Sequence, residues 1–153
     1  MGSEYLTQNK FAEAENIFAR ALAVNPKSFS GTYGRGAAQY GLRKIADAAQ
    51  TLEAAIVINP TSAISYFLLG RVRRELKEYQ KSEANFKKAN ELTAGQVAEI
   101  HWELALLYYH NLRRYAEAAD ELELYLKTSP KTENREQINK LIKEFREKAK
   151  SSN

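Results

Sequence analysis

The chain contains 153 residues, of which 44% are hydrophobic and 27% charged, and its formal net charge at pH 7 is +4. These proportions are typical of folded proteins in water and argue against an intrinsically disordered chain. Cysteine is absent from the sequence, which excludes thiolate nucleophiles, iron–sulfur clusters and zinc sites built from cysteine.

The distribution of charge and apolar residues narrows the possible partners. Seven basic and four acidic residues follow from Lys131 to the end, so this segment carries +3 of the total +4. The rest is close to neutral and lacks a basic surface for phosphate backbones, which predicts no nucleic-acid partner. No uncharged apolar stretch is long enough for a bilayer and no signal-peptide run is present, which predicts a soluble chain without a membrane partner. Cytoplasm and, if a longer secreted precursor exists, periplasm both stay open as compartments.

An internal repeat is the first signal along the chain. The segment Ala21–Pro26 recurs 34 residues later as Ala55–Pro60, and Pro130 closes a further unit 70 residues after Pro60. Two repeats account for that distance, and the unit between them has Ala94 where proline is expected. We therefore divide the chain into a partial repeat 1–26, three repeats 27–60, 61–94 and 95–130, and a C-terminal segment 131–153.

Each complete repeat is predicted to hold two helices. Its apolar residues recur at steps of three and four, as Phe11, Ala14 and Phe18 do in the first repeat and Tyr115 and Ala118 do in the last. Short polar turns and the prolines separate these periodic stretches. The predicted helices are 11–24, 28–41, 45–58, 62–75, 79–92, 97–111 and 115–128.

Two repeats carry the residues of a known pattern. These are Tyr66, Leu69-Gly70, Tyr79, Phe86 and Ala89 in 61–94, and Leu104-Ala105, Tyr108, Tyr115 and Ala118 in 95–130. In this pattern the chain resembles the tetratricopeptide repeat family over nearly everything before Thr132. The resemblance implies an all-α fold, a right-handed α-solenoid of helix hairpins. The departures from the pattern are Arg35 in place of Leu, Gln39 and Arg73 in place of an aromatic residue, Ser82 in place of Ala, and one extra residue before Tyr115.

The two ends of the chain differ. Ile138, Leu141, Ile142 and Phe145 form one apolar stripe at helical spacing, so 131–153 is predicted to be a C-terminal capping helix. At the other end only about one helical turn precedes the first polar turn. We expect that the chain starts within a repeat, either because it is the C-terminal piece of a longer protein or because a second copy covers this N-terminal face.

Little in the sequence favours catalysis or metal binding. His101 and His110 lie nine residues apart on one predicted helix, which separates them by about 13 Å and prevents them from sharing a metal ion. We expect both to be isolated histidines at the surface or in a groove. No Ser, His and acid set converges, and an all-helical repeat array lacks the deep pocket of most enzymes. The predictions are no enzyme, no metal and no cofactor.

Glycines concentrate in the predicted helix 28–41. Four of the seven glycines lie within residues 31–41, and each interior glycine costs about 0.8–1.0 kcal/mol relative to alanine. Gly36 suits close packing and Gly41 suits a helix end, but Gly31 and Gly34 have no evident packing reason in the sequence. Two explanations stay open: the approach of a ligand backbone to this helix, or tolerance near a truncated end.

The family resemblance implies that first helices line a concave wall that binds a peptide or a partner helix. The candidate peptide-binding residues on that wall are Tyr33, Tyr40, Phe67, Arg71, Arg74, Trp102, Leu106, Tyr109 and His110. Trp102 and Arg71 lead, because aromatic and arginine side chains dominate interaction hot spots. If unpaired, the two arginines would attract a carboxylate, although Glu75 and Glu103 are available to neutralise them, and Tyr33 and Phe67 could instead pack on neighbouring helices.

The sequence therefore predicts a non-catalytic scaffold that binds a protein or peptide in an aromatic and arginine groove. The chaperone-binding subset of the family is disfavoured, because the second and third repeats lack its Lys and Asn at the corresponding places. The alternative is a structural or assembly module that forms a homo-oligomer, or stacks on further repeats, through its uncapped N-terminal side.

Overall fold

The structure is a computed structural model that describes residues 2–152. Within these residues every regular element is helical. The elements are α1 (Gly2–Thr7), α2 (Phe11–Val24), α3 (Phe29–Gly41), α4 (Ile45–Ile58), α5 (Ala63–Glu75), α6 (Tyr79–Leu92), α7 (Ala98–Leu106), a π-helical segment (Leu107–Leu112), α8 (Tyr115–Thr128) and α9 (Arg135–Ser151). In the part of the chain so described, no helix combines the length and the apolar character that crossing a bilayer requires.

The predicted helices agree closely with the observed ones. The second helices of the hairpins, α2, α4, α6 and α8, have the predicted bounds, and the first helices α3, α5 and α7 each begin one residue later than predicted. This agreement arises because prolines, polar turns and the three-and-four spacing all mark the same boundaries. The predicted all-α fold class is confirmed.

Packing divides the chain into two compact bodies, one up to Asn85 and one from Phe86 onward. In the N-terminal body each helix from α1 to α5 packs on the next, and α3 also contacts α1 and α5. The core of this body contains Ala48 and Leu52 of α4 together with Leu69 and Val72 of α5. The alanine lets the helices approach closely, which allows the larger side chains to interdigitate.

One backbone conformation recurs in the turn within each hairpin. A non-glycine residue with a left-handed φ stands two positions before the second helix; these residues are Asn9, Arg43, Lys77 and Arg113, with φ between 55° and 63°. Such a residue reverses the chain at the end of the first helix at a modest steric cost. The repeat in sequence is thus also a repeat in backbone geometry.

The Asn-Pro pairs and the serines after them form the links between hairpins. Asn25 Oδ1 accepts a hydrogen bond from the backbone N–H of Lys27 at 3.3 Å, and Asn59 Oδ1 does the same for Thr61 at 3.2 Å. Ser28 then caps α3 and Ser62 caps α5, each through a side-chain oxygen that accepts from a first-turn N–H. These local bonds explain why the helices stop and restart where the sequence repeats.

The glycines of α3 are explained by packing and not by the two explanations proposed from the sequence. The ring of Phe18 on α2 lies against Gly34, and that of Phe11 lies against Gly41, so close that a Cβ at either glycine would overlap the ring. Gly31 faces Leu22, with only 3.0 Å between that side chain and the site of a Cβ. The glycines therefore make room for side chains of α2 and leave no space for a ligand backbone.

Two departures from the repeat pattern are stabilised by polar contacts. Arg73, where an aromatic residue is usual, bridges Glu53 of α4 and Glu78 in the following turn. Ser82, where alanine is usual, is fully buried, and its hydroxyl donates to the carbonyl of Gly70 at 2.7 Å. Both polar groups therefore have partners that offset the cost of their burial.

In the C-terminal body α7 packs on α8, and α8 packs on α9. The extra residue predicted before Tyr115 lies in the π-helical segment. The first residues of α3 and α4 are 16 positions apart (29 to 45), as are those of α5 and α6 (63 to 79), whereas those of α7 and α8 are 17 apart (98 to 115). A π turn absorbs one inserted residue without interrupting the helix, which leaves the phase of α7 and the turn at Arg113 as in the other hairpins.

The segment predicted as a capping helix forms α9. Ile138 and Phe145 of its apolar stripe are buried, and Leu141 and Ile142 are partly buried. Its other face is charged and exposed. Whether α9 limits further stacking of repeats remains a prediction of the sequence pattern.

Candidate functional site

Two candidate tyrosines lie on one face of α3 in the N-terminal body. Tyr33 and Tyr40 are seven residues apart, and both pack against the core formed by α4 and α5 while keeping an exposed edge. Tyr33 also stacks on Phe29, with 6.1 Å between ring centroids. Burial raises the pKa of both phenols, so each hydroxyl is a neutral donor at physiological pH.

The side chain of Arg71 on α5 lies over the ring of Tyr40, with 5.6 Å between the guanidinium carbon and the ring centroid. The hydroxyl of Tyr40 donates to Glu75 Oε1 at 2.8 Å, and Glu75 Oε2 pairs with Arg43 at 2.6 Å. Glu75 thus neutralises Arg43, a residue that the sequence analysis had not considered. The result is a cation–π contact beside an ion pair on adjoining faces of α3 and α5.

Three candidate residues share one face of α5. Phe67, Arg71 and Arg74 recur at steps of four and three, and all three are partly buried. The structure therefore presents one large ring and two guanidinium groups along this helix, next to the tyrosines of α3.

In the C-terminal body Trp102 of α7 borders a cleft of about 360 Å³. Its indole contacts the ring of Tyr125 on α8 at 5.5 Å between centroids. The residues that line the cleft are Glu99, Trp102, Tyr125, Asn134, Gln137, Ile138 and Leu141. Leu106, one turn further along α7, is partly buried. This cleft has apolar walls and a polar rim, a combination suited to one large apolar side chain.

The sequence analysis had not singled out Tyr125 as a site residue, although a signal for it exists. At the corresponding position the earlier repeats have Ala21, Ala55 and Ala89. Replacing a small residue by an aromatic one in a single repeat places a second ring beside Trp102, which the repeats with alanine cannot do.

Tyr109 and His110 lie in the π-helical segment. The ring of Tyr109 stacks on Phe145 of α9 at 4.0 Å, and its hydroxyl contacts Glu144 and Lys148. These contacts raise the pKa of Lys148, first through its hydrogen bond to the phenol and then through Glu144. His110 is exposed and touches the edge of the Tyr109 ring. Tyr109 therefore joins α7 to α9, and His110 faces solvent.

The expectation that His101 lies at the surface or in a groove is wrong. His101 is buried, with Nδ1 at 2.7 Å from Glu121 Oε2 and Nε2 at 3.3 Å from the carbonyl oxygen of Gly95. Because a carbonyl only accepts, Nε2 carries the proton in that bond. The sequence spacing between these partners, 20 and 6 residues, gave no local signal. Among residues 2–152 no three potential ligands gather to hold a metal ion.

Comparisons with known proteins agree with this architecture. "Heat shock protein STI1" of Saccharomyces cerevisiae is 30% identical over 98 residues, which are 63% of this chain but only 17% of the yeast protein. A crystal structure of MamA, 20% identical, superposes with a TM-score of 0.78 and covers 99% of this chain and 96% of that one. TTC0263 of Thermus thermophilus, a thermophilic TPR protein, is 24% identical with a TM-score of 0.80 over 92% of this chain and 77% of that one.

The family model described as tetratricopeptide repeat matches three overlapping segments of the chain, residues 1–63, 33–97 and 67–132. Together they include every hairpin and end where the sequence analysis placed the end of the resemblance. The chain belongs to the tetratricopeptide repeat family.

Proposed function

We propose that this chain is a scaffold that binds a peptide or an extended segment of a partner protein through the exposed residues of its first helices. Proteins with tetratricopeptide repeats are in general non-enzymatic scaffolds for protein–protein interaction. The observation that carries the proposal is the position of Arg71 over the ring of Tyr40. This contact joins the faces of α3 and α5 into one surface of aromatic rings and guanidinium groups.

The chemistry of that surface favours a polypeptide ligand. Phe67 and the two tyrosines offer large rings with few rotatable bonds, and Arg71 and Arg74 offer directed donors for carbonyl or carboxylate oxygens. Packing of the tyrosines on the core holds their rings in place before a ligand arrives, which lowers the entropic cost of binding.

The cleft beside Trp102 supports the same proposal for the C-terminal body. Its volume of about 360 Å³ accommodates one large side chain between Trp102, Tyr125 and Leu141. Because an aromatic anchor in a pocket is the usual centre of a hot spot, we assign the apolar anchor of the ligand to this cleft.

The test is capture of partners by the immobilised chain, followed by mass spectrometry. The double variant Arg71→Glu, Trp102→Ala is expected to lose the captured partners while its helical circular dichroism stays unchanged. A matched control, Arg20→Glu with Val57→Ala, alters an exposed arginine and an exposed apolar residue away from the candidate residues and should retain them. Retention of the same partners by the Arg71, Trp102 variant would contradict the proposal.

One observation favours the second candidate, assembly through the N-terminal side. Ala21 of α2 is exposed, whereas Ala55, its equivalent in the next repeat, is fully buried, and Val24 is 88% exposed. The first helix of this hairpin, α1, has only 6 residues compared with 13 in α3 and α5. The uncovered face of α2 therefore has room for another helix.

This candidate predicts concentration-dependent association. Light scattering of the wild-type chain should show dimers or larger species that Ala21→Glu removes, because a charge on the uncovered face opposes burial. Ala54→Glu, a change at an exposed alanine of α4, serves as the control. A monomer at the highest accessible concentration rules this candidate out.

A further inference from the structure

A second cleft lies on the opposite side of α3 from the candidate tyrosines. Arg35 follows Tyr33 by two residues, which places it about 200° around the helix at 3.6 residues per turn. Here α2, α3 and α4 enclose a cleft of about 350 Å³. The residues that line it are Leu22, Pro26, Thr32, Arg35, Gln50, Thr51, Ala54 and Ile58.

Arg35 has no bonding partner in this cleft. Its Nε atom is buried without a hydrogen bond, and none of residues 2–152 forms an ion pair with its guanidinium group. The charge of Arg35 contributes weakly to the lowered pKa of Glu15, which is caused first by the hydrogen bond from Lys44 at 2.7 Å. That carboxylate is therefore already held by another cation.

An arginine in this position is costly in the isolated chain. The repeat pattern has leucine here, and a partly buried guanidinium group without an acceptor loses hydration without gaining a bond. An external carboxylate would remove this cost, because it accepts two N–H donors of arginine at once. The walls add apolar contact on both sides: Leu22 and Pro26 on one, Ala54 and the 38%-exposed Ile58 on the other.

We propose that this cleft binds the carboxylate of an acidic segment of a protein partner, with Arg35 as the anion donor and the apolar walls as seats for the residues that flank the carboxylate. A free inorganic anion would use only the arginine, whereas a Leu-Glu-Leu-like segment also uses the walls. The site goes beyond the proposed function, since it involves the other side of α3 and none of the candidate peptide-binding residues.

The experiment is a titration of the 15N-labelled chain monitored by two-dimensional NMR. The probes are acetyl-Ser-Gly-Leu-Glu-Leu-Gly-Ser-amide and the same peptide with Gln in place of Glu. We expect shifts of the amides of Thr32, Thr51, Ala54 and Ile58, and at least tenfold tighter binding of the glutamate peptide. A third probe, acetyl-Ser-Gly-Leu-Leu with a free carboxyl terminus against its amide, identifies whether a side-chain or a terminal carboxylate is preferred; binding of either carboxylate at these amides supports the site.

Two variants separate binding from folding. Arg35→Leu restores the residue of the repeat pattern, so it should keep or raise the melting temperature while weakening the glutamate peptide at least tenfold. Arg20→Leu, the same change at an exposed arginine of α2, should bind like the wild type. Since the double variant of Arg71 and Trp102 should also bind this peptide normally, failure here and failure of the proposed function are distinguishable.

Three results would overturn the proposal. They are equal binding of the glutamine peptide, unchanged binding by Arg35→Leu, and peptide-induced shifts at Tyr40 and Arg71 in place of the cleft amides. Concentration-dependent shifts of the cleft amides without peptide would show a second copy of the chain as the occupant, which also contradicts an acidic partner segment.

Discussion

His101 and Glu121 form a buried hydrogen-bonded pair in the C-terminal body, with 2.7 Å between Nδ1 and Oε2. Because the carbonyl of Gly95 holds a proton on Nε2, the contact to Glu121 contains a proton only if the imidazole is charged or the carboxyl is protonated. Burial raises the pKa of Glu121, while His101 and Lys87 oppose that shift and Asp120 adds to it. The pair is thus a pH-dependent element of this body.

The first prediction concerns Glu121→Gln. A carboxyl whose pKa is raised on folding contributes stability that is present below its ordinary pKa of 4.5 and is lost as the pH rises through the raised value. Glutamine does not titrate, so the free energy of unfolding of the variant should improve relative to the wild type between pH 4 and pH 7. Urea denaturation at several pH values measures this difference.

Glu147→Gln is the control for that series, because Glu147 is exposed on α9. Its difference from the wild type should stay flat over the same pH range. A constant or decreasing advantage of Glu121→Gln with rising pH would contradict the assignment of the burial effect to Glu121.

The second prediction tests why α3 contains glycine at position 34. A Cβ there would overlap the Phe18 ring, so Gly34→Ala should destabilise the N-terminal body by about 1–3 kcal/mol, despite the higher helix propensity of alanine. Adding Phe18→Leu should cost less in the Gly34→Ala background than in the wild type. Chemical denaturation of the four proteins gives the coupling energy, and additive effects would show that the close contact does not limit stability.

Local spacing was sufficient to predict most of the fold. Helix α4 has the predicted bounds because apolar periodicity, the turn at Arg43 and Pro60 all mark its limits. Spacing does not identify which side chains meet across helices. For that reason the partner of Gly34 and the burial of His101 were missed, since both depend on residues of another helix.

The candidate site shows the same division. Helical periodicity placed Phe67, Arg71 and Arg74 on one face, but the contact of Arg71 with Tyr40 joins residues 31 positions apart and depends on the packing of α3 on α5. Likewise the stacking of Tyr109 on Phe145 requires the position of α9. The nine candidate residues remain a prediction as a binding surface.

The third prediction follows from the π-helical segment. Deleting Asn111 makes the spacing between the starts of α7 and α8 equal to the 16 residues of the other hairpins. The segment should then become α-helical, with a change of about 1 kcal/mol or less in the free energy of unfolding, because one inserted residue is all that a π turn accommodates.

Deleting Asp120, an exposed residue within α8, is the matched control. It rotates every later side chain of α8 by about 100° and should cost several times more. Equal losses from the two deletions, measured by urea denaturation, would show that the π turn is a required part of the hairpin.

The fourth prediction concerns the stacking of Phe145 on Tyr109. Phe145 is 6% exposed, and truncation of a buried phenylalanine to alanine costs about 3–5 kcal/mol. Because its contacts lie within the C-terminal body, Phe145→Ala should reduce amide hydrogen-exchange protection in α7, α8 and α9 more than in α3 and α4. Glu147→Ala, on the exposed face of α9, should leave protection unchanged in all five helices. If protection in α7 survives the loss of Phe145, then α9 does not stabilise the hairpin it covers, and the predicted capping role has no energetic basis.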